Sequence, residues 1–188
     1  MDNTNKVPDF MGAYLKVKSK MPRKVAVKAK NFFKDGFAKG GFTDESFQEW
    51  QKGISPLARK TMYNKGDLQN SIRSFQESEE RVEVGTELHY AKIHNEGGTI
   101  TVTPKMKKYW WAKYREYAGS ITYTKKGKVS AKGRKANEKA EFCKRMALMK
   151  VGSKIKIPKR QFIGESDTLM KQLNEQFIDN IELELKED

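Results

Sequence analysis

Apolar residues recur at three- and four-residue spacings near both ends of the chain. The first series follows Pro22 and predicts a helix with one apolar face, which ends at a group of glycines around Gly40. The second series follows Ser166, a predicted helix N-cap, and places an apolar residue at every fourth position. Its members are Leu169, Leu173, Phe177, Ile181 and Leu185. This spacing predicts the longest amphipathic helix of the chain.

Between these helices the pattern changes to the alternation and β-branched runs that are typical of strands. Residues 81–85 and 153–157 alternate between apolar and polar positions, and residues 99–103 are β-branched. A short helix is predicted over residues 89–96, where a glycine pair ends it. We therefore expect an α+β fold. A small, mostly antiparallel sheet would be packed by an N-terminal helix, a short central helix and a long C-terminal helix.

Two further helices are predicted on either side of a basic segment. Pro104 can open the first helix, and the second is expected over residues 138–151. Residues 119–137 between them have few apolar positions, which predicts a mobile basic loop or hairpin inserted in the fold.

The remaining segments are predicted to be irregular. Residues 1–20 have few apolar anchors and are expected to form a flexible N-terminal arm. Residues 41–50 show poor periodicity, and we expect an irregular loop that three aromatic residues pin onto the core: Phe42, Phe47 and Trp50. Residues 21–188 would then form a single α+β domain.

The charge is concentrated in one part of the chain. The net charge is +14, and between Lys105 and Arg160 there are 19 Lys and Arg against three Glu, a net of +16. Such a segment attracts polyanions or an acidic protein surface, although a solvated loop kept soluble by lysine is the more common case. The candidate interaction residues are Trp111, Lys125, Lys126, Lys128, Lys132, Arg134 and Lys135.

Aromatic residues alternate with lysines in the first part of this segment. One interpretation is that bases stack on the rings while lysines neutralise phosphates. The other is a helix whose core face holds Tyr109, Trp110 and Tyr114, and the spacing favours it. Trp111 falls on a different face and remains available to a partner.

Catalytic and metal-binding patterns are weak in this sequence. His89 and His94 are five positions apart, whereas helical metal pairs are three or four apart. No Ser, Cys or Thr has a base at a recognisable spacing. Cys143 is the single cysteine, which excludes a disulfide within the chain and is typical of a reducing compartment. We expect a protein that is not an enzyme, has no cofactor or metal, and is not inserted in a membrane.

Four short motifs lie at residues 41–50, 66–72, 90–98 and 157–164. Their principal residues are Trp50, Gly66, Leu68, Ile72, Tyr90, Ile93, His94, Gly97, Gly98, Pro158, Arg160, Phe162 and Gly164. In this order the motifs resemble the phage virion morphogenesis family, the tail-completion proteins of tailed phages and prophages. The resemblance extends from about Pro22 to Leu185.

The resemblance implies structural work in virion assembly. Proteins of this family are expected to complete the tail and to stabilise head–tail joining at the neck. The implied partners are tail and neck or connector proteins, and self-association into a ring is expected by analogy. The implied location is the host bacterial cytoplasm during assembly and afterwards the neck or tail of the virion, close to the DNA.

The resemblance also suggests roles for the motif residues. The glycines at 66, 97 and 98 would permit tight turns, and Tyr90, Ile93 and His94 would hold the short helix against the sheet. Pro158 and Arg160 would direct the chain toward the C-terminal helix. An alternative function is a nucleic-acid-binding module that uses the basic, aromatic segment 105–160.

Overall fold

The computed structural model describes residues 8–58 and 60–187, which contain six helices and six strands. The helices are α1 (Phe10–Lys39), α2 (Asp67–Asn70), α3 (Ala91–Glu96), α4 (Pro104–Gly119), α5 (Arg134–Leu148) and α6 (Asp167–Glu187). The strands are β1 (Gly41–Thr43), β2 (Phe47–Glu49), β3 (Arg73–Glu77), β4 (Val82–Gly85), β5 (Gly98–Thr101) and β6 (Lys154–Ile157). The prediction of an α+β fold is confirmed.

The strands pair as three antiparallel hairpins or ladders of two strands each, within the described part of the chain. β1 pairs with β2, β3 with β4, and β5 with β6. The predicted strands at 81–85, 99–103 and 153–157 are therefore present with slightly different ends. The segment 41–50, which was expected to be an irregular loop, forms the β1–β2 hairpin instead.

The chain divides into two compact units with interleaved segments. Unit 1 consists of Met1–Trp50, Gly66–Ala91 and Gln161–Asp188, and unit 2 consists of Gln51–Lys65 and Lys92–Arg160. The sequence had suggested one domain over residues 21–188, and each unit is described separately below.

Helix α1 of unit 1 is longer than its sequence pattern predicted. It begins after Asp9, whose carboxylate accepts a hydrogen bond from the Gly12 N–H at 2.9 Å, and it continues through Pro22. Residues 10–20 are therefore helical and do not form the expected arm, while residues 1–7 lie outside the described part. Ala13 and Val17 are buried and extend the apolar face toward the N-terminus. The sequence pattern did not reveal this part of the apolar face, because its apolar residues are small and lie among many lysines.

Helix α1 ends at Gly40, as its sequence predicted. Gly40 adopts a left-handed conformation with φ of 79°, and its N–H donates to the Gly36 carbonyl at 2.8 Å. Glycine adopts this conformation without the steric cost that a side chain would add. The chain turns there into β1.

Helix α6 is held at its N-terminus by the β1–β2 hairpin. The Ser166 hydroxyl accepts from the Leu169 N–H at 3.1 Å, which confirms the predicted N-cap, and donates to the Thr43 carbonyl at 2.9 Å. The Asp167 N–H donates to the Asp44 carboxylate at 3.0 Å. The buried Ser166 hydroxyl thus both donates and accepts a hydrogen bond, and these bonds fix the first turn of α6 against the hairpin.

The aromatic residues of the hairpin divide between core and surface. Phe42 and Trp50 are buried, as predicted, but Phe47 is 47% exposed. Phe47 lies within β2, where all three residues are exposed. Because successive side chains of a strand point to opposite faces, neither face of β2 is buried.

Unit 2 is built mainly from α4 packed on α5. Trp110 lies edge-on to Phe142 at 5.9 Å between ring centroids, and Cys143 is fully buried on the apolar face of α5. The expected core position of Tyr109 is wrong, since its side chain is 52% exposed, and no residue of α4 is buried. Within unit 2 only one face of α4 is covered by α5, which leaves its other faces open.

The basic segment between α4 and α5 is a hairpin-like turn, shorter than predicted. Residues 120–133 connect the helices, because α5 begins at Arg134. Tyr123 and Val129 form a bridge, and the Ser130 N–H donates to the Thr122 carbonyl at 2.8 Å. No helix among residues 8–58 and 60–187 combines the length and the apolar character needed to cross a membrane.

We predict that Trp50→Phe lowers the free energy of unfolding by about 1–3 kcal/mol. The phenyl ring keeps the aromatic contacts but cannot donate the hydrogen bond that the indole N–H makes to the Gln161 carbonyl at 2.6 Å. Urea denaturation of both proteins measures the difference. Gln48→Ala, at an exposed position of the same hairpin, should change stability by less than about 0.5 kcal/mol. Equal effects of the two substitutions would show that the hydrogen bond adds no stability.

Candidate functional site

Two motif residues of unit 1, Trp50 and Phe162, pack against Phe37 of α1. The ring of Phe37 lies 5.2 Å from Trp50 and 5.5 Å from Phe162, measured between centroids. Phe162 is 1% exposed. The indole N–H donates to the Gln161 carbonyl, which satisfies the one polar group of a buried tryptophan. The cluster therefore joins α1, the end of β2 and the segment before α6.

A second part of unit 1 holds the motif around α2. Gly66 has φ of 93° at the start of α2. Leu68, within this single helical turn, and Ile72, two residues after it, are buried. Tyr90 is half-buried, and burial followed by the nearby charge of Asp67 raises the pKa of its hydroxyl. These residues shape the turn into β3 and have no arrangement of catalytic groups.

The motif residues of unit 2 lie near the junction between α3 and β5, where the segment after β6 packs against it. The Arg160 N–H donates to the His94 carbonyl at 2.8 Å, and the Arg160 Nε–H donates to the Gln51 carbonyl at 2.8 Å. Arginine at this position thus supplies a side-chain donor to a loop carbonyl. Pro158 follows the last residue of β6 and ends the strand, because it has no N–H for a further ladder bond.

Two glycines permit the close approach of backbones at this junction. Gly97 has φ of 78°, and a Cβ there would lie 2.8 Å from the Lys159 nitrogen. Gly98 pairs with Ile157, and a Cβ there would lie 3.3 Å from the Ile93 side chain. The Gly97-Gly98 pair therefore serves the packing of α3, β5 and the chain after β6. Gly164, with φ of 146°, lies in unit 1.

His94 is a half-buried residue of this junction. Burial lowers the pKa of its imidazole, and the positive charge of Arg160 lowers it further. Burial also lowers the pKa of the Arg160 guanidinium. Among the residues that the structure describes, no three His, Cys, Asp or Glu side chains are grouped to hold a metal ion. The geometry places His94 in a structural contact, with its backbone carbonyl as an acceptor.

The two units differ strongly in charge. Unit 2 contains 24 Lys and Arg against four Asp and Glu, a net charge of +20, whereas unit 1 contains 14 against 20, a net of −6. Lys113, bonded to Glu116 at 2.7 Å, is the one described cation of unit 2 in an ion pair. The positive charge of unit 2 is therefore not neutralised within the unit.

The predicted interaction residues occupy two places in unit 2. All six cations are exposed, and they lie on the turn between α4 and α5 and at the start of α5. They are Lys125, Lys126, Lys128, Lys132, Arg134 and Lys135. Trp111 lies on α4, nine residues before Ser120, or about 13 Å along a helix axis. The structure groups the cations but does not show a contact between them and Trp111.

Trp111 lies on the α4 face that does not carry Trp110. A concavity of about 560 Å³ on this face is lined by Lys108, Trp111, Ala112, Tyr114 and Arg115. The Trp111 ring is edge-on to Tyr114 at 5.6 Å. Trp111 shares this face with Tyr114, which was expected on the core face with Trp110. The arrangement places the Trp111 ring between two cations, Lys108 and Arg115.

A larger groove of about 970 Å³ lies in unit 1 between α1 and α6. Lysines at every fourth position of α1 reach across it: Lys20 to Glu184, Lys24 to the Asn180 side chain, and Lys28 to the Gln172 carbonyl at 3.0 Å. The sequence analysis did not identify this groove. The four-residue spacing of the lysines was visible, but their partners lie about 150 residues away.

The sequence model of the phage virion morphogenesis family matches residues 44–182. The match begins at the turn of the β1–β2 hairpin and includes every principal motif residue from Trp50 to Gly164, although the first motif starts three residues earlier. It leaves out all of α1, so it is shorter at the N-terminal end than the resemblance had indicated. No curated protein and no solved structure matches the chain.

We predict that Gly97→Ala is more destabilising than Gly127→Ala. Both glycines have φ near +75°, but a Cβ at Gly127 meets nothing within 4 Å. The control therefore measures the conformational cost alone, about 1–2 kcal/mol. Gly97→Ala should add about 1–3 kcal/mol from overlap with Lys159. Denaturant midpoints give both values, and equal midpoints would refute the close approach.

We predict that His94→Gln reduces the loss of stability at acid pH. The folded state lowers the pKa of His94 below its ordinary 6.5, so it resists a proton that the unfolded state accepts. The contribution of His94 to the free energy of unfolding is then fully present above pH 6.5 and decreases as the pH falls below it. Thermal unfolding between about pH 7.5 and 5 tests this. An equal pH dependence in the wild type and in His94→Gln would contradict the assignment.

Proposed function

Because this chain belongs to the phage virion morphogenesis family, we propose that it completes the phage tail and stabilises the head–tail joint at the neck. The match over residues 44–182, about three-quarters of the chain, is the observation that carries this proposal. The protein would act through protein–protein contacts and not as an enzyme. It would assemble in the bacterial cytoplasm and remain in the virion.

The proposed role has to be performed by the protein's surface, since the motif residues described above make internal contacts. Trp50, Leu68, Ile72 and Phe162 are buried, and Arg160 is bonded to two backbone carbonyls. These residues maintain the scaffold. Contacts with tail or neck proteins would be made by side chains that the scaffold leaves exposed.

The first two turns of α1 carry such side chains. Phe10, Met11 and Leu15 are more than half exposed on a helix that is otherwise rich in lysine. Grouped apolar side chains at a surface are typical of protein interaction sites. We propose that this end of α1 contacts a tail or neck protein during joining.

Self-association into a ring is part of the same proposal. A ring forms when one surface of a subunit binds a different surface of the next and the rotation closes. The opposite net charges of the two units support this mode, because an acidic and a basic surface on one chain are complementary between neighbours. A monomer in the absence of tails is compatible with it.

The test is assembly of a phage in which this gene is inactivated. We expect filled heads and separate tails without the protein, and joined particles when the wild-type chain is supplied. Electron microscopy counts the joined particles. A normal yield of joined, infectious particles without the protein would refute the proposal.

A surface variant separates docking from folding. Met11→Ser with Leu15→Ser should fold as the wild type, because both side chains are more than half exposed, and should reduce infectious titre at least about tenfold. Ile54→Ser removes a 92% exposed apolar side chain elsewhere and serves as the control. Equal titres for the two variants would exclude α1 from the contact.

A further inference from the structure

Most of the positive charge of unit 2 is not paired with acidic side chains of the same unit. Its net charge is +20, one of its described cations is in an ion pair, and the six cations of the α4–α5 connection are all exposed. Repulsion among such cations disfavours the compact state unless an external anion is bound. The charge therefore indicates a polyanionic partner.

We propose that unit 2 binds nucleic acid through the phosphate backbone. The cations of the α4–α5 connection neutralise phosphates, and the α4 face with Lys108, Trp111 and Arg115 supplies further cations and a ring for base stacking. This inference goes beyond the proposed function and does not depend on it, since it rests on the charge and geometry of unit 2.

The α4–α5 connection is a hydrogen-bonded hairpin that carries exposed lysines at its turn. The Thr124 N–H donates to the Lys128 carbonyl at 2.7 Å, and the Gly127 N–H donates back to the Thr124 carbonyl at 2.9 Å. The Thr122 and Ser130 hydroxyls are 2.6 Å apart at its base. These bonds hold Lys125, Lys126 and Lys128 together on one turn. A preformed turn loses less conformational entropy on binding than a solvated chain.

The packing at the base of the hairpin requires glycine. A Cβ at Gly133 would lie 2.5 Å from the Thr122 carbonyl oxygen. This close approach fixes the hairpin against the start of α5, where Arg134 and Lys135 occupy the first turn and no acidic residue is present. Cations at a helix N-terminus are electrostatically unfavourable for the helix, so folding does not explain their position.

The α4 face favours nucleic acid over an acidic protein. Lys108 and Arg115 lie with the half-buried rings of Trp111 and Tyr114 around one concavity, which places cations next to aromatic rings. Aromatic rings beside lysine and arginine bind stacked bases and the adjoining phosphates. An acidic protein surface has carboxylates to pair with the cations but no planar bases to stack on the indole.

The experiment measures binding of the full chain to a labelled 20-nucleotide DNA, as a single strand and as a duplex, over a range of KCl concentrations. Kd is expected to rise steeply with salt. Replacing Lys125, Lys126 and Lys128 by Gln should reduce the slope of log Kd against log salt by about 0.9 for each cation on duplex. The charge-matched control in unit 1, Arg23→Gln with Lys39→Gln and Lys171→Gln, should leave the slope unchanged.

The Trp111 side chain distinguishes the two forms of DNA. If bases stack on it, Trp111→Ala should weaken single-strand binding about tenfold, and Trp111→Phe should restore most of the affinity. If the ligand is the duplex, the hairpin variant loses affinity while Trp111→Ala does not. Circular dichroism of each variant confirms that α4 is intact.

Three outcomes would overturn the proposal. The first is the absence of salt-dependent binding to either DNA. The second is an equal loss of affinity in the unit 1 control, which would assign binding to net charge alone. The third is binding of poly-glutamate as tightly as DNA with the same dependence on the hairpin lysines, which would identify the partner as an acidic protein. Each outcome leaves the assembly test of the proposed function unaffected.

Discussion

The hydrogen bond from the Trp50 indole to the Gln161 carbonyl joins residues that are 111 positions apart. Around it the rings of Phe37, Trp50 and Phe162 pack together, so α1, the β1–β2 hairpin and the entry to α6 share one buried contact. Unit 1 has an apolar core made mainly of alanine and phenylalanine. The start of α6 is fixed by this aromatic cluster and by the Ser166 cap. The rest of α6 is bound to α1 by Lys20, Lys24 and Lys28.

Unit 2 depends on a different constraint, the close approach of backbones near Gly97. Hydrogen bonds from Arg160 to the carbonyls of His94 and Gln51 hold the segment after β6 against α3 and the preceding loop. Because these are main-chain acceptors, the arrangement requires an arginine and a glycine but leaves most neighbouring side chains free to vary. Helix α4, which carries part of the basic surface, follows β5 directly in the chain.

The separation of charge between the units gives the molecule two kinds of surface. Unit 1 is acidic with exposed apolar residues at the start of α1, and unit 2 is strongly basic with Trp111 between cations. A member of the phage virion morphogenesis family with these surfaces is suited to contact proteins with one unit and a polyanion with the other. The motif residues serve both surfaces indirectly, by fixing the elements that carry them.

Periodicity alone was sufficient for α6, β4, β5, β6 and the α+β class, because each of these elements has a regular apolar pattern in a short window. The basic segment, with its six exposed cations, was equally visible, since charge is a property of composition. The start of α1, the exposed position of Tyr109, the exposure of Phe47 and the α1–α6 groove were not predicted. Each depends on which distant segment covers a given face. Only tertiary packing decides that, because the residues that meet are separated by tens to more than a hundred positions in the chain.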